Sequence, residues 1–290
     1  MSNIYKTTIQ SNDTIIVAHF SVPEIEQLQK MSALLQNTQI VKAAEVMHLL
    51  RANLPEVLLN DGPKGEPAVE TYNAEGQLIR RERYQQGRRN DGVNGEPAIE
   101  DGKTRRARYQ QDYLNDGLNG EHAIEVYDAK GRISRRERYQ QGRHHDGVNG
   151  EPALEEFNSD GTSSRARYQL GYLNDGINGE AAMETFNSNG DIVIREHYLR
   201  GSHNNGANGE PAIVHFHANG VISRREYYQQ GSRIDGANGE AAVEVYNADG
   251  EVIGSSNQSR HVAVSNEAGP AKPKPAVRIA IAKVDRSPGT

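Results

Sequence analysis

Residues 116–139 read DGLNGEHAIEVYDAKGRISRRERY, and this stretch decides the fold because the chain repeats it. The junction Asp-Gly-x-x-Gly-Glu-x-Ala occurs seven times, once with Asn205 in place of the Asp, and its first glycines are Gly62, Gly92, Gly117, Gly147, Gly176, Gly206 and Gly236. The steps between them are 30, 25, 30, 29, 30 and 30 residues. A nearly fixed period of this length indicates a repeat array, whose units we number one to seven.

Each unit has the pattern of a β-hairpin. In unit three, Glu121 to Tyr127 alternates between polar and apolar residues, four turn residues ending at Gly131 intervene, and Arg132 to Tyr139 alternates again. The glycine stands where a type I turn followed by a bulge needs positive φ. Unit two is five residues shorter than units one and three, which predicts a truncated hairpin and a kink or weak point there. The predicted fold is mainly β, an elongated solenoid-type array of seven hairpin repeats.

The two ends of the chain differ from the repeats at 60–253. Residues 1–59 predict a small N-terminal α+β cap over the open edge of unit one, with strands at 5–9 and 14–20 and helices at 23–35 and 40–50. Residues 254–290 predict a Pro-rich linker and a flexible basic tail. Two alternatives stay open for 276–284, a short strand that pairs with an exposed edge or a disordered segment.

Composition excludes several classes of function. The chain has no cysteine, so disulfides, thiolate zinc sites and thiol nucleophiles are absent. Segment charges are −1 for 1–59, −8 for 60–260 and +3 for 261–290, the opposite of what binding to nucleic acid or an anionic membrane needs on the large surface. The first twenty residues contain neither a secretory signal nor a membrane span, which predicts a cytoplasmic protein or one exported without a classical signal peptide.

The series Tyr127, Gly131, Ile133, Tyr139 and Gly142, closing on Asp146-Gly147, resembles the MORN-like repeats of YwqK-type antitoxin proteins and of related bacterial and viral arrays. The junction resembles an expanded form of the Asp-Gly-Pro-Ala motif of those arrays. The resemblance covers about two thirds of the chain. It implies a β-hairpin array that serves in protein contact, in some members beside toxins.

The second strand of each hairpin carries the candidate partner-binding residues. Those of units one to three are Arg81, Arg83, Tyr84, Arg106, Arg108, Tyr109, Arg136, Arg138 and Tyr139. Leu78 and Tyr84, with their counterparts, are expected on one face as an apolar ridge. Arginine and tyrosine together also suit nucleic-acid binding. The alternative is an ion-pair ladder within the sheet, because the first strand of nearly every unit carries a Glu.

The junction offers oxygen ligands at its first, fourth and sixth positions, as a calcium loop does. In units two and three these ligands are Asp91, Asn94, Glu96, Asp116, Asn119 and Glu121. Asp-Gly and Asn-Gly, however, form turns without a metal. The fourth position is Lys64 in unit one. A calcium-stabilised structural or adhesive array is therefore the second hypothesis.

The leading hypothesis is a non-catalytic scaffold that binds a protein partner, as an antitoxin, an immunity protein or an effector. Catalysis needs one special constellation, whereas most polar residues here have counterparts in the other units. We therefore expect no enzyme activity, no cofactor and no resident metal. Nucleic-acid binding is the third hypothesis, and the sequence leaves the oligomeric state open.

Overall fold

The computed structural model describes residues 3–10, 14–22, 29–30 and 58–257. These residues belong to one compact unit, Met1–Gln258. Of the two predicted N-terminal helices only Gln29 and Lys30 are described, and both are helical. The rest of those helices, the linker beyond 257 and the predicted strand at 276–284 lie outside the described residues.

Every unit contributes a long hairpin, and each of the first six adds a short hairpin after it. The strands before the first unit are β1 (Asn3–Gln10), β2 (Thr14–Val22) and β3 (Leu58–Leu59). The long hairpins are β4 (Val69–Asn73) and β5 (Leu78–Glu82), β8 (Ile99–Asp101) and β9 (Arg105–Ala107), β12 (Ile124–Tyr127) and β13 (Ile133–Glu137), β16 (Leu154–Phe157) and β17 (Ser163–Ala166), β20 (Met183–Phe186) and β21 (Ile192–Glu196), β24 (Ile213–Phe216) and β25 (Ile222–Glu226), and β28 (Val243–Tyr246) and β29 (Val252–Ser256). The short hairpins are β6 (Tyr84–Gln85) and β7 (Arg88–Arg89), β10 (Tyr109–Gln110) and β11 (Tyr113–Leu114), β14 (Tyr139–Gln140) and β15 (Arg143–His144), β18 (Tyr168–Gln169) and β19 (Tyr172–Leu173), β22 (Tyr198–Leu199) and β23 (Ser202–His203), and β26 (Tyr228–Gln229) and β27 (Ser232–Arg233).

The long hairpins join into one antiparallel sheet of 17 strands, and the predicted fold class is confirmed. Each second strand pairs with the first strand of the following unit, from β5 with β8 to β25 with β28. The sheet begins with the hairpin of β1 and β2, and β2 pairs with β3 and β4. The expected strands of the N-terminal segment are therefore present, and they extend the repeat sheet at its first edge.

Unit two is truncated as its sequence predicts. Strands β8 and β9 have three residues each, and they pair from Ile99 with Ala107 to Asp101 with Arg105. Pairing nevertheless continues on both sides, to β5 and to β12. The shortening therefore leaves the ladder of the sheet uninterrupted.

A bulge offsets the two strands of most long hairpins. In unit one, Val69 lies opposite Glu82, whereas Tyr72 lies opposite Leu78 after a register shift. The turn ends at Gly76 with φ 76°, as the sequence predicts. Leu78 therefore shares the face of Tyr72, while the Tyr84 hydroxyl bonds Glu82 on the other face. The expectation that Leu78 and Tyr84 form one apolar ridge is wrong, because the extra residue of the bulge changes the alternation.

The short hairpins arise from a two-residue turn in which both residues have positive φ. The pair Gln86-Gly87 has φ 49° and 77°, and Gln141-Gly142 has φ 50° and 74°. Such a turn matches the twist of two paired strands. Each short hairpin also bonds the one before it, as where the Gly142 amide donates to the Leu114 carbonyl. The short hairpins thus form a second stack beside the sheet.

The two faces of the sheet differ. The covered face, which carries Val69, Ile99 and Ile124, packs against the short hairpins, and these three side chains are at most 8 % exposed. Tyr109, Leu114 and Tyr139 pack on it. The opposite side, here called the ladder face, carries Glu70 and Arg81 and has no second layer among the described residues.

Candidate functional site

The ladder face holds one of the two predicted arginine series. Arg81 lies between Glu70 and Glu100, and Arg106 lies between Glu100 and Glu125. The ion pairs measure 3.3 Å and 3.6 Å for Arg81, and 3.7 Å and 4.0 Å for Arg106. Arg136 continues the row by pairing with Glu155. The expected ion-pair ladder is therefore present.

The ladder arginines of units two to six also cover an aromatic ring of the next unit. Arg106 lies 5.6 Å from the ring centroid of Tyr127, and Arg165 lies 5.0 Å from that of Phe186. A guanidinium within about 6 Å of a ring is attracted to its face. Charge and ring are thus both engaged inside the array, which leaves the ladder arginines less free to bind an external anion.

The second predicted arginine series lies buried under the junctions. Arg83, Arg108 and Arg138 are 7, 8 and 7 % exposed. Nη1 of Arg138 donates to the Gly120 carbonyl at 2.9 Å and to Oδ2 of Asp116 at 3.0 Å. Arg83 and Arg108 bond Gly65 and Gly95 in the same way. These three side chains therefore fasten the junction to the hairpin and do not belong to a partner surface.

In units one to six, the first residue of the junction matches in charge the residue at the Arg138 position. Where Asp116 stands, its partner is Arg138, and where Asp175 stands, its partner is His197, at 2.8 Å. In unit six the Asp is replaced by Asn205, and the residue at the arginine position is the buried Tyr227. A neutral pair thus replaces an ionic one, because a buried charge left alone is strongly destabilising.

The three predicted tyrosines lie in the stack of short hairpins. Tyr84 is 4 % exposed, and its hydroxyl donates to Glu82 at 3.0 Å. The Tyr139 hydroxyl donates to Glu137 at 2.8 Å, and burial together with this carboxylate raises the pKa of Tyr139. Tyr109 lies 5.5 Å beneath the guanidinium of Arg89. All three rings are therefore engaged by contacts within the array, and Tyr109 and Tyr139 remain half-buried.

A second matched pair joins each long hairpin to its short hairpin. The last residue of the second strand and the last residue of the short hairpin are Glu82 with Arg89, Ala107 with Leu114, Glu137 with His144, Ala166 with Leu173, Glu196 with His203, and Glu226 with Arg233. Nε2 of His144 lies 2.8 Å from Glu137, and Arg233 lies 2.7 Å from Glu226. Burial would raise the pKa of Glu137, but the hydrogen bond from His144 and the charge of Arg135 lower it overall. In each of these six units the pair consists of an acidic and a basic residue or of two apolar residues.

The six calcium candidates are all engaged by the protein. Oδ1 of Asp91 accepts the amides of Ala98 and Tyr109, both at 2.9 Å, and Oδ1 of Asp116 accepts those of Ala123 and Tyr139. In units two and three the Glu of the junction binds the Asn two residues before it, as Glu96 does through the amide and side chain of Asn94. Glu121 and Asn119 repeat this. Among the described residues no group of three or more His, Cys, Asp or Glu is placed to hold a metal ion.

These bonds explain why the junction is so constant. Burial raises the pKa of Asp61, Asp91, Asp116 and Asp146. For Asp146 it does so to about 6, although the Tyr168 amide and Arg167 act in the opposite direction. Backbone amides hold the pKa of the half-buried Glu96 and Glu121 below its usual range. A Cβ on Gly147 would lie 3.1 Å from the buried Arg138 and closer still to Glu151. The motif is therefore a clamp built from hydrogen bonds.

The structure reveals a feature that the sequence interpretation missed, an open groove between the junctions and the short hairpins. We call it the junction groove; it has two adjoining sections of about 1060 and 670 Å³ that share Gln110, Leu118, Gln140 and Leu170. Val93, Leu118, Val148 and Ile177 line it from the junctions of units two to five. These four side chains are 77, 80, 99 and 82 % exposed.

The other side of the junction groove is formed by the short hairpins. Gln85, Gln110, Gln140 and Gln169, all exposed, line it from equivalent positions. Tyr113 and Leu170, which are 61 and 62 % exposed, lie at the hairpin turns. A row of exposed apolar side chains along a concave surface is typical of a protein-binding site. Of the predicted arginines and tyrosines, Tyr139 is the one that lines the described sections of this groove, and the aliphatic row lies on its surface.

A sequence signal for the groove exists at the third position of the junction. That position carries Pro63, Val93, Leu118, Val148, Ile177, Ala207 and Ala237. The other variable positions of the junction loop are polar or at least half-buried, whereas the large aliphatic residues of units two to five are exposed in a tight turn. Their size falls away toward both ends of the array, which confines the apolar row to the middle units.

Comparison of the chain with protein-family models and with curated proteins gives no match. The resemblance to MORN-like arrays therefore stays a prediction. No helix among the described residues has the length and apolar character that crossing a bilayer requires. The functional conclusion therefore depends on the site itself, an aliphatic row beside a row of amides.

Proposed function

We propose that this chain is a non-catalytic repeat scaffold that binds a protein partner through the junction groove of units two to five. The observation that carries the proposal is the exposure of Val93, Leu118, Val148 and Ile177 in one row. All four occupy the third position of the junction, where a polar residue would fit the turn without loss of stability. Four exposed aliphatic side chains in register favour a partner that covers them.

The polar chemistry of the array supports a binding role over catalysis. The ladder Arg and Glu residues, the junction Asp residues and the stacked tyrosines recur with repeated structural partners. The partner is expected at the groove, where the repeated side chains point into solvent. Neutralisation of a toxin, immunity and an effector role are three settings in which such a scaffold acts, and the identity of the partner decides among them.

Site-specific photocrosslinking tests the proposal. A benzoylphenylalanine at Leu118, expressed from the native locus in the source cells, is expected to form one dominant adduct with a partner protein upon illumination. The matched control places the same residue at Asn189, an exposed turn position at the end of a long hairpin. Adducts of equal strength from both positions, or an adduct from Asn189 alone, would contradict a binding site in the groove.

A pair of variants separates binding from folding. Leu118→Asn with Val148→Asn removes two side chains that are 80 and 99 % exposed. Because neither is buried, the melting temperature is expected to stay within about 1 °C of the parent protein. The partner identified by crosslinking is then purified, without a crosslinker, through an affinity tag on the parent chain or on this variant. Its recovery is expected to be at least about tenfold lower with the variant. Unchanged recovery would refute the proposed surface.

A further inference from the structure

The junction groove has a period that selects one backbone conformation of its occupant. We infer that the groove binds a proline-rich segment of a partner protein in the polyproline II conformation, with an apolar residue at every third position. This inference rests on the proposed function and names the class of partner. It follows from the spacing of the apolar row, the chemistry of the facing amides and the charge of the lining.

The spacing of the row follows from the sheet. One unit contributes two strands to the sheet, so successive junctions are separated by about 9.6 Å. A polyproline II helix rises about 3.1 Å per residue and has three residues per turn, so equivalent side chains recur every 9.3 Å or so. From Val93 to Ile177 there are three unit steps, over which the two periods differ by about 0.9 Å. Each third residue of such a segment therefore meets one aliphatic side chain of the row.

Other conformations fit less well. An α-helix places side chains on one face at every seventh residue, about 10.5 Å apart, and accumulates roughly 2.7 Å of mismatch over the same three steps. It also rotates by about 20° per seven residues. In an extended strand, residues three apart point to opposite sides, so successive units would meet alternate faces. The polyproline II helix alone keeps both spacing and face.

The amides that face the row suit a backbone without internal hydrogen bonds. Polyproline II segments leave every carbonyl oxygen open to an outside donor. Gln85, Gln110 and Gln140 recur once per unit, and among the described residues their side-chain amides have no hydrogen-bond partner. Each can donate to one carbonyl per turn of the bound segment. The exposed Tyr113 supplies a flat ring beside this row, a surface on which proline packs.

The charge of the lining favours a segment with few charges. Asp91 faces Arg108 at 3.7 Å and Asp116 faces Arg138 at 3.0 Å, so these carboxylates are compensated inside the array. Arg143 is the one Arg or Lys that lines the two described sections. A strongly charged segment would lose its hydration without gaining an opposite charge. A segment of proline with an apolar residue at every third position carries no side-chain charge and therefore suits this lining.

The test uses the full chain and synthetic peptides in a fluorescence-anisotropy titration. The matching probe repeats Pro-Pro-Leu four times. A second probe has the same composition with leucines two and four residues apart, and a third is a helical alanine-rich peptide with leucine at every seventh position. We expect the matching probe to bind at least about tenfold more tightly than either of the others.

Variants locate the binding. Leu118→Asn with Val148→Asn is expected to weaken the matching probe about tenfold. The matched control, Val252→Asn with Ile253→Asn, changes residues that are 55 and 66 % exposed on β29, away from the groove, and is expected to leave binding unchanged. Equal affinity for the matching and the rearranged probe, preference for the helical probe, or no binding of any probe would overturn the inference. So would sedimentation data showing that a second copy of the chain covers the groove.

These outcomes are distinct from a failure of the proposed function. If Leu118 still forms its crosslink to one protein while no proline-rich probe binds, the groove binds a partner of another conformation and only the present inference is lost. If Leu118 forms no crosslink, the proposed function is lost with it.

Discussion

The pair of Asp116 and Arg138 provides a sharp test of how the junctions are held. Both side chains are largely buried, at 24 and 9 % exposure, and they meet at 3.0 Å. Unit six shows the substitution to make, since it carries Asn205 and Tyr227 at the two positions. The variants are Arg138→Tyr, Asp116→Asn and the double exchange.

The structure sets the expected magnitudes. Burial raises the pKa of Asp116, although the bonds from the Tyr139 amide and Arg138 act in the opposite direction. Arg138→Tyr leaves this buried carboxylate without its counter-charge, so we expect a loss of about 3 kcal/mol of unfolding free energy. Asp116→Asn keeps an oxygen for the amides of Ala123 and Tyr139 but leaves the guanidinium without a counter-charge, which costs about 1–2 kcal/mol. The double exchange is expected to lie within about 1.5 kcal/mol of the parent. The two single losses exceed the loss of the double variant by at least about 2.5 kcal/mol, and this difference is the expected coupling energy.

Urea denaturation measures the four free energies, and amide hydrogen exchange at Ala123 and Tyr139 reports opening of this unit, since units of a repeat array open locally. Arg132 with Asp128 is the matched control, because this pair meets at 2.8 Å at the protein surface. Substitution of Arg132 and Asp128, singly and together, is expected to show no measurable coupling energy. Additive effects at Asp116 and Arg138, or coupling equal to that of the control, would refute the account of the junction as an electrostatic clamp.

Three further tests concern single features. Because burial raises the pKa of Asp146 to about 6, above its value of 3.8 in the unfolded chain, the stabilisation it provides is complete below pH 3.8 and is lost as the pH rises through 6. As the pH rises from 4 to 7, the unfolding free energy of Asp146→Asn should therefore increase by about 1–2 kcal/mol relative to that of the parent, after allowance for solvent screening. If urea unfolding gives the same difference between the two proteins at both pH values, this prediction is contradicted. Glu137→Ala should lower the melting temperature by several degrees. Adding His144→Leu should restore most of that loss, because units two and four pair Ala with Leu at these positions. A double variant that melts below the single variant would contradict the matching of this pair. Millimolar calcium should leave the melting temperature unchanged because the junction oxygens already accept protein amides, whereas a rise of several degrees would revive the calcium-stabilised alternative.

The repeated pattern was sufficient to predict the array and the hairpins. Strand alternation around Gly131 and the fixed spacing of the junctions predicted one hairpin per unit, and the Glu and Arg rows predicted the ladder that Glu70, Arg81 and Glu100 form. Such local patterns are reliable because hairpin register is fixed by the turn and by pairing between neighbours in sequence.

The candidate site was predicted less well. A functional surface was expected at Arg81, Arg83 and Tyr84, yet only Arg81 of these three remains partly exposed, on the ladder face. The short hairpins explain the difference, because they fold back over the sheet and carry Tyr84 and its counterparts onto its covered face. The first residue of their two-residue turns is Gln, Leu or Arg at positive φ, a conformation that those residues rarely adopt, so the turns carried no strong signal in the sequence.

By itself, the sequence determined the number of units, their hairpins and the ladder of opposite charges, since each depends on residues close together in the chain or one unit apart. Only the tertiary structure decided which repeated side chains face solvent. Arg81 and Arg83 are two residues apart and would share a face of a regular strand, but β5 ends at Glu82, and Arg83 turns under the junction to bind Gly65. The same folding of junction over hairpin leaves Val93, Leu118, Val148 and Ile177 outside, because a tight turn whose polar groups bond one another has no interior in which to bury its third residue.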